Sequence, residues 1–251
     1  MIDRRSLLAL IATTPFLATR AVAGSPAPGI VATTGMIADI ARRLTGGPVQ
    51  ALMGPGMDPH AYRPTRSDIL ALSRADMVLW HGLNLEAQFT DVMADLARNK
   101  PVVAVAETIA ADRLLADPEY ADRPDPHIWF DPTLWSDVVA AVATTLTDAG
   151  LDVAAATTAH KDEIAALHAY SQRSLASVPE AARVLITAHD AFAYFGRAYG
   201  WQVEGIQGIS TESEAGLARI GELVDLLVSR KIGAVFVESS VSDRSIRALI
   251  E

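Results

Sequence analysis

The chain of 251 residues has no cysteine, which rules out disulfides and a lipid attached to an N-terminal cysteine. Its stability must come from packing. It also lacks an uninterrupted apolar run long enough for a membrane span. The stretch from Leu7 to Leu17 is broken by Pro15 and followed by Arg20, whereas spanning takes about 20 apolar residues. No internal repeat or low-complexity segment stands out, and no His-Glu-x-x-His sequence marks a zinc hydrolase. Positive charge is in deficit: the formal net charge is −9, which argues against nucleic acid or anionic lipid as a partner and mildly favours attracting cations.

What the chain does contain begins with a targeting signal. Arg4-Arg5 precede the apolar stretch, and Ala21-Val22-Ala23 offers a small-residue cleavage site before Gly24, the layout of a secretory signal peptide over residues 1–23. The arginine pair ahead of Ser6-Leu7-Leu8 also resembles a twin-arginine signal, so the export route stays open between the two. Removing this segment, with its three arginines and one aspartate, takes the net charge from −9 to −11. The expected location is free solution in a bacterial periplasm.

Apolar periodicity then alternates between strand and helix. Strands are expected at residues 29–34, 49–53, 77–80 and 102–105, with helices at 36–44, 67–73, 86–99 and 132–147 between and after them. Such alternation implies parallel strands joined by crossover helices. Val153 to Ala176 contains neither proline nor glycine and reads as one long helix. At 1.5 Å per residue it would span about 36 Å, enough for a rigid connector. Alternation resumes after Pro179, with strands at 183–187, 201–206 and 234–237 and helices at 191–199, 217–229 and from Ser242 onward. The predicted fold is therefore α/β with two lobes, each a mostly parallel sheet flanked by helices, at 24–152 and 179–251, joined by a connecting helix at 153–178.

Two segments place a histidine straight after Asp-Pro: Asp58-Pro59-His60 and Asp125-Pro126-His127. Proline stiffens the approach to each imidazole. His60 and His127 fall in irregular segments of the first lobe, and His189 follows the strand at 183–187 in the second, so three histidines occupy strand-end loops, where open α/β sheets bind ligands. A lone loop histidine is usually a solvated surface group, but three so placed favour a metal site. Imidazole suits zinc, iron, copper or manganese, while calcium and magnesium prefer oxygen. Asp58, Asp125, Asp131 and Asp190 flank these histidines as outer partners or as caps and turns, and Glu238 is the best further carboxylate facing the cleft. His160 and His168 are expected to face solvent, and His81 could line the cleft but is left out of the site.

Five segments in order, around Gly54 to Tyr62, Asp125 to Asp131, Thr187 to Phe195, Gly208 to Glu214 and Phe236 to Ser240, resemble the zinc/manganese-binding periplasmic components of bacterial ABC importers. The resemblance implies a periplasmic solute-binding protein, a monomer and not an enzyme, that captures a divalent transition metal between two lobes and delivers it to a membrane permease. His60 and His127 match the family's first-lobe ligands and His189 the first ligand of the second lobe. The family's fourth ligand is an aspartate after a further strand, so the chain is expected to be C-terminally truncated in its second lobe. Some zinc members carry a histidine-rich loop before the second ligand, and residues 111–126 hold no histidine, which tilts the reading toward a manganese or mixed-specificity member. Three nitrogens tilt it back toward zinc. A metallohydrolase and an adhesin-like interaction protein are the competing readings.

Overall fold

The computed structural model describes residues 28–118, 120, 122–212, 216–241 and 244–250. The signal segment expected at 1–23, Ser213 and Glu214 of the segment Gly208 to Glu214, and the helix start expected at Ser242-Asp243 lie outside the described residues.

The first lobe runs β1 (Ile30–Ala32), α1 (Gly35–Thr45), β2 (Gln50–Ala51), α2 (Arg66–Arg74), β3 (Met77–Trp80), α3 (Thr90–Leu96), β4 (Val102–Ala104) and α4 (Pro132–Asp148). Its four strands are parallel in the order β2-β1-β3-β4. Alternate strand residues feed two cores, because successive side chains leave opposite faces of a sheet. Ile30, Ala32, Met77 and Leu79 meet α1 and α4 on one face, while Val31 and Val78 meet Leu72 of α2 and Met93 of α3 on the other. The result is three layers with the sheet in the middle.

Local sequence explains where these helices start and stop. Thr34 Oγ1 accepts from the Ile37 amide to open α1, and Gly46 closes it at a φ of 64°. Thr65 and Asp68 form a reciprocal capping box on α2. Asp131 caps α4, and Pro132 occupies its first turn, where no amide hydrogen is needed.

The connector α5 (Ala154–Ala176) is 23 residues long, about 35 Å at 1.5 Å per residue. It lies along α4 and α1, yet Ile164 is its one buried residue, so it is a strut on the outside of the lobe.

The second lobe contains β5 (Val184–His189), α6 (Ala193–Tyr199), β6 (Gln202–Gln207), α7 (Leu217–Arg230) and α8 (Arg244–Ile250). β5 and β6 pair in parallel over five register positions. Ile186, Ala188 and Ile206 pack with Leu223 of α7 and with Ile246 and Leu249 of α8. Gly205 permits the crossing of β6 and the turn after β5, since a Cβ there would lie 2.4 Å from the Asp190 amide nitrogen. Gly205→Ala is expected to force the strand away from that backbone and cost about 1–3 kcal/mol, read as a lowered urea midpoint at unchanged slope.

Two expected elements differ. The strand at 234–237 is a single parallel bridge from Phe236 to Thr187, with the Phe236 amide donating to Ile186 O at 2.9 Å. Phe236 and Val237 are 52% and 61% exposed, so their apolar character does not come from burial in a sheet. The helix expected over 86–99 starts later, with a 3-10 turn at Ala87–Phe89 before α3. Glu86 is spent elsewhere: its carboxylate accepts from Thr33 Oγ1 at 2.6 Å and from the His81 and Gly82 amides at 2.9 and 3.2 Å. That holds a loop in which Leu83 and Asn84 both take positive φ.

One side chain of the second lobe is buried in the core of the first. Tyr194, on α6, is buried in the first lobe's core, where its hydroxyl donates to Asp125 O at 2.8 Å and accepts from the Leu115 amide at 2.9 Å.

Candidate metal centre

His60 lies in the loop after β2, His127 in the loop between β4 and α4, and His189 is the last residue of β5, so all three emerge near the carboxyl ends of parallel strands. The structure brings them together across the cleft. The Nε2 atoms of His60 and His127 are 3.1 Å apart, and those of His127 and His189 3.3 Å. All three residues are buried, and one nitrogen from each falls within 4.8 Å of the other two. Two nitrogens each about 2.0–2.1 Å from a tetrahedral zinc ion lie about 3.3 Å apart. Two of the trio's three edges thus already have the spacing of a ligand face, and the third lies within 4.8 Å. Beside it is a cavity of about 700 Å³ lined by all three histidines, Trp129 and Glu238.

The repeated Asp-Pro-His sequence has a repeated geometry. Asp58 Oδ1 accepts the His60 amide and Asp125 Oδ1 the His127 amide, both at 2.9 Å, so each aspartate folds its histidine into the same Asx turn. Asp125 does more, since its Oδ1 also lies 2.7 Å from His127 Nδ1. Glu238 treats His189 the same way from the far side of the lobe, accepting its amide at 3.2 Å and lying 2.8 Å from its Nδ1.

These partners decide which nitrogen carries the proton. Above pH 7, where Asp125 is ionised and can only accept, it places a hydrogen on Nδ1 of His127, and Glu238 faces Nδ1 of His189 in the same geometry. Both Nε2 atoms then present lone pairs to each other. Neutral rings in that state cannot hydrogen-bond through the 3.3 Å contact, and a cation between them satisfies both.

Burial keeps the imidazoles of His60 and His127 uncharged. Desolvation, then the neighbouring His127, pulls His60 down to about 3. Burial followed by His189 holds His127 well below the ordinary imidazole value. Burial acts oppositely on the carboxyl of Asp125, pushing it up to about 7.

The other flagged residues separate clearly. Glu238, the expected cleft carboxylate, is not in the ligand face: it is engaged with His189 Nδ1, on the side of the ring away from the cluster. Asp131 caps α4 and accepts from Arg197 Nη2 at 3.3 Å, the ordinary structural role. His81 does not line the cleft. It is fully buried, and its Nε2 lies 2.7 Å from Pro126 O, bracing the residue that precedes His127. His160 and His168 are half-buried, with Nδ1 3.5 Å from Glu163 Oε2 and 3.3 Å from the Tyr199 hydroxyl respectively. Glu86, Tyr194 and Thr211 all support the site's loops through partners more than 50 residues away. Sequence spacing carries no signal for such pairs. Among the described residues no carboxylate joins the three histidines as a fourth member of the cluster.

Residues 30–251 match the family model described as zinc-uptake complex component A, periplasmic. The chain belongs to this family. As a zinc-uptake component A member it is 43% identical over 228 residues to the manganese-binding lipoprotein MntA of Bacillus subtilis, covering 88% of this chain and 74% of MntA. It is 42% identical over 228 residues to the zinc-binding protein TroA of Treponema pallidum, covering 88% and 73%. The solved structure of the periplasmic zinc-binding protein TroA superposes with a TM-score of 0.84 at 41% identity, covering 88% of this chain and 82% of that one. The zinc-uptake component A fold, parallel sheets flanked by helices in two lobes, is the one expected above.

Proposed function

We propose that this protein is the solute-binding component of an ABC importer, and that it captures a divalent transition metal, zinc or manganese, and delivers it to a membrane permease. The observation that carries the reading is the convergence of His60, His127 and His189 Nε2 atoms, with two of the rings oriented from behind by carboxylates. The ligands are these three imidazoles, two from a first lobe at residues 24–152 and one from a second at 179–251, with 153–178 as the connector. The relatives are named for both metals, manganese in MntA and zinc in TroA. Raw affinity favours zinc over manganese at any nitrogen-rich site. The reading requires binding without turnover. A periplasmic location, reached through a signal segment at residues 1–23, completes it, and among the described residues no helix is long and apolar enough to cross a membrane.

Proton linkage makes the reading testable. His60 and His127 are already neutral at pH 7, so a metal displaces no proton from them. Asp125, raised to about 7, is protonated below that pH in the metal-free protein. A cation on His127 Nε2 favours its ionised form, so binding expels a proton. Affinity is therefore full above pH 7 and falls by up to about tenfold per unit below it. Calorimetry with Zn²⁺ and Mn²⁺ at pH 6 in two buffers of different ionisation enthalpy is expected to show one ion per chain and net proton release, about one proton of it from Asp125. Asp125→Asn is expected to bind with about one proton fewer released. Absence of binding by either metal overturns the proposal.

A further inference from the structure

The contacts that join the second lobe to the first fall into two kinds. Tyr194 is sunk in the first lobe's core, and beside it Arg197 Nη1 donates to Arg113 O at 2.7 Å. Opening the cleft around a buried ring of that size would expose its whole apolar surface, so this contact acts as a fixed pivot. The segment after β6 makes the second kind. Thr211 Oγ1 donates to Asp58 Oδ2, and next to it Gln88 Nε2 lies 3.5 Å from Glu212 Oε1. Both residues of the Thr211–Asp58 pair are half-buried, and neither belongs to a core cluster. Such a contact can open and close with little apolar cost.

Asp58 divides its two oxygens between two tasks. Oδ1 holds the His60 amide at 2.9 Å and shapes the turn that presents the ring, while Oδ2 takes the hydroxyl from the other lobe. His60 depends on that turn more than its companions do. Carboxylates hold the Nδ1 atoms of His127 and His189, but among the described residues none is hydrogen-bonded to the His60 ring. Its position follows its loop, and its loop is tied across the cleft through Asp58.

We infer that Thr211 is a positioning residue: its hydroxyl latches the His60 loop to the second lobe and so governs how fast a bound metal escapes. The inference rests on the metal-capture reading above. With the latch closed, His60 cannot swing away from His127 without also breaking the Thr211–Asp58 bond. With it broken, His60 becomes the first ligand to leave.

Two measurements on the whole protein test this. Zinc release into excess chelator, followed by stopped flow, is expected to be about tenfold faster in Thr211→Val, as befits loss of one hydrogen bond to a charged acceptor at a half-buried site. Zinc stoichiometry should be unchanged, and Thr211→Ser, which restores the hydroxyl, should release at the wild-type rate. In the metal-free protein, hydrogen exchange at the His60 amide should speed up in Thr211→Val and not in Thr211→Ser. Equal release rates in wild type and Thr211→Val, or an unchanged His60 exchange rate, overturn the latch. Failure of the capture reading looks different: the wild type itself takes up no zinc.

Discussion

Replacing His127 with alanine is expected to remove about two thirds or more of the thermal stabilisation that zinc confers. At free zinc about 1,000-fold above its dissociation constant, linkage gives the wild type about 4 kcal/mol. For a chain of this size that is a rise in Tm of about 8–16 °C. His127 is the central member of the trio, because both short Nε2 contacts, 3.1 Å to His60 and 3.3 Å to His189, run to it. Losing even an outer partner of a metal ligand typically costs 10–100-fold in affinity, and loss of the central ligand should cost at least about 100-fold. His127→Ala also leaves Asp125 facing an empty space in a buried loop. Scanning fluorimetry with and without Zn²⁺ checks the prediction. A mutant that keeps half or more of the wild-type shift would show that metal binds elsewhere.

The largest expected effect on the metal-free protein lies at Glu86. Its buried carboxylate serves three donors: Thr33 Oγ1, the His81 amide and the Gly82 amide. Alanine strands all three in a site without access to water, at about 1–3 kcal/mol for each buried group, and leaves a cavity as well. Some relaxation is inevitable, so the expected loss is about 3–5 kcal/mol, seen as a lowered urea midpoint. Glu86→Gln separates the causes. Oriented to keep its oxygen at the Oε1 position, it retains the acceptor for Thr33 and His81 and turns an amide donor toward the Gly82 N–H, losing one contact of three. It should cost about 1–2 kcal/mol. A Glu86→Ala loss below about 1 kcal/mol would mean that the loop finds other acceptors. Because His81 braces Pro126, slack in this loop should also weaken metal binding at the adjacent His127.

Much of this fold and site is legible in the sequence, for physical reasons. Helix α4 announces itself by Asp131 and Pro132, and α1 by the spacing of Ile37, Ile40, Ala41 and Leu44, all buried on one face. The strand at Met77–Trp80 is observed with the expected bounds. The Asp-Pro-His pair pointed to stiff loops, and both are Asx turns. What local pattern cannot convey is who sits opposite. Glu86 read as part of a helix because its partner Thr33 is 53 residues away, and Phe236 read as a strand because an apolar run looks the same with one pairing as with several. His81 followed a strand like the site histidines and differs from them only in pointing inward, to Pro126. Glu238 is expected to face the cleft and does line it, but the sequence does not say that its carboxylate holds His189 Nδ1 from behind, since a carboxylate beside a histidine can face the ring from either side.

The burial of Tyr194 has a consequence for how far the two lobes are separate modules. A topology diagram invites a cut at α5, with one folding unit on each side. The ring of Tyr194 belongs by sequence to the second unit and by packing to the first, and its hydroxyl closes the loop between Leu115 and Asp125. Severed at the connector, the first unit would be left with a hole the size of a phenol and an amide with no acceptor. Cooperativity therefore crosses the connector, and the protein should melt as one unit despite being drawn as two.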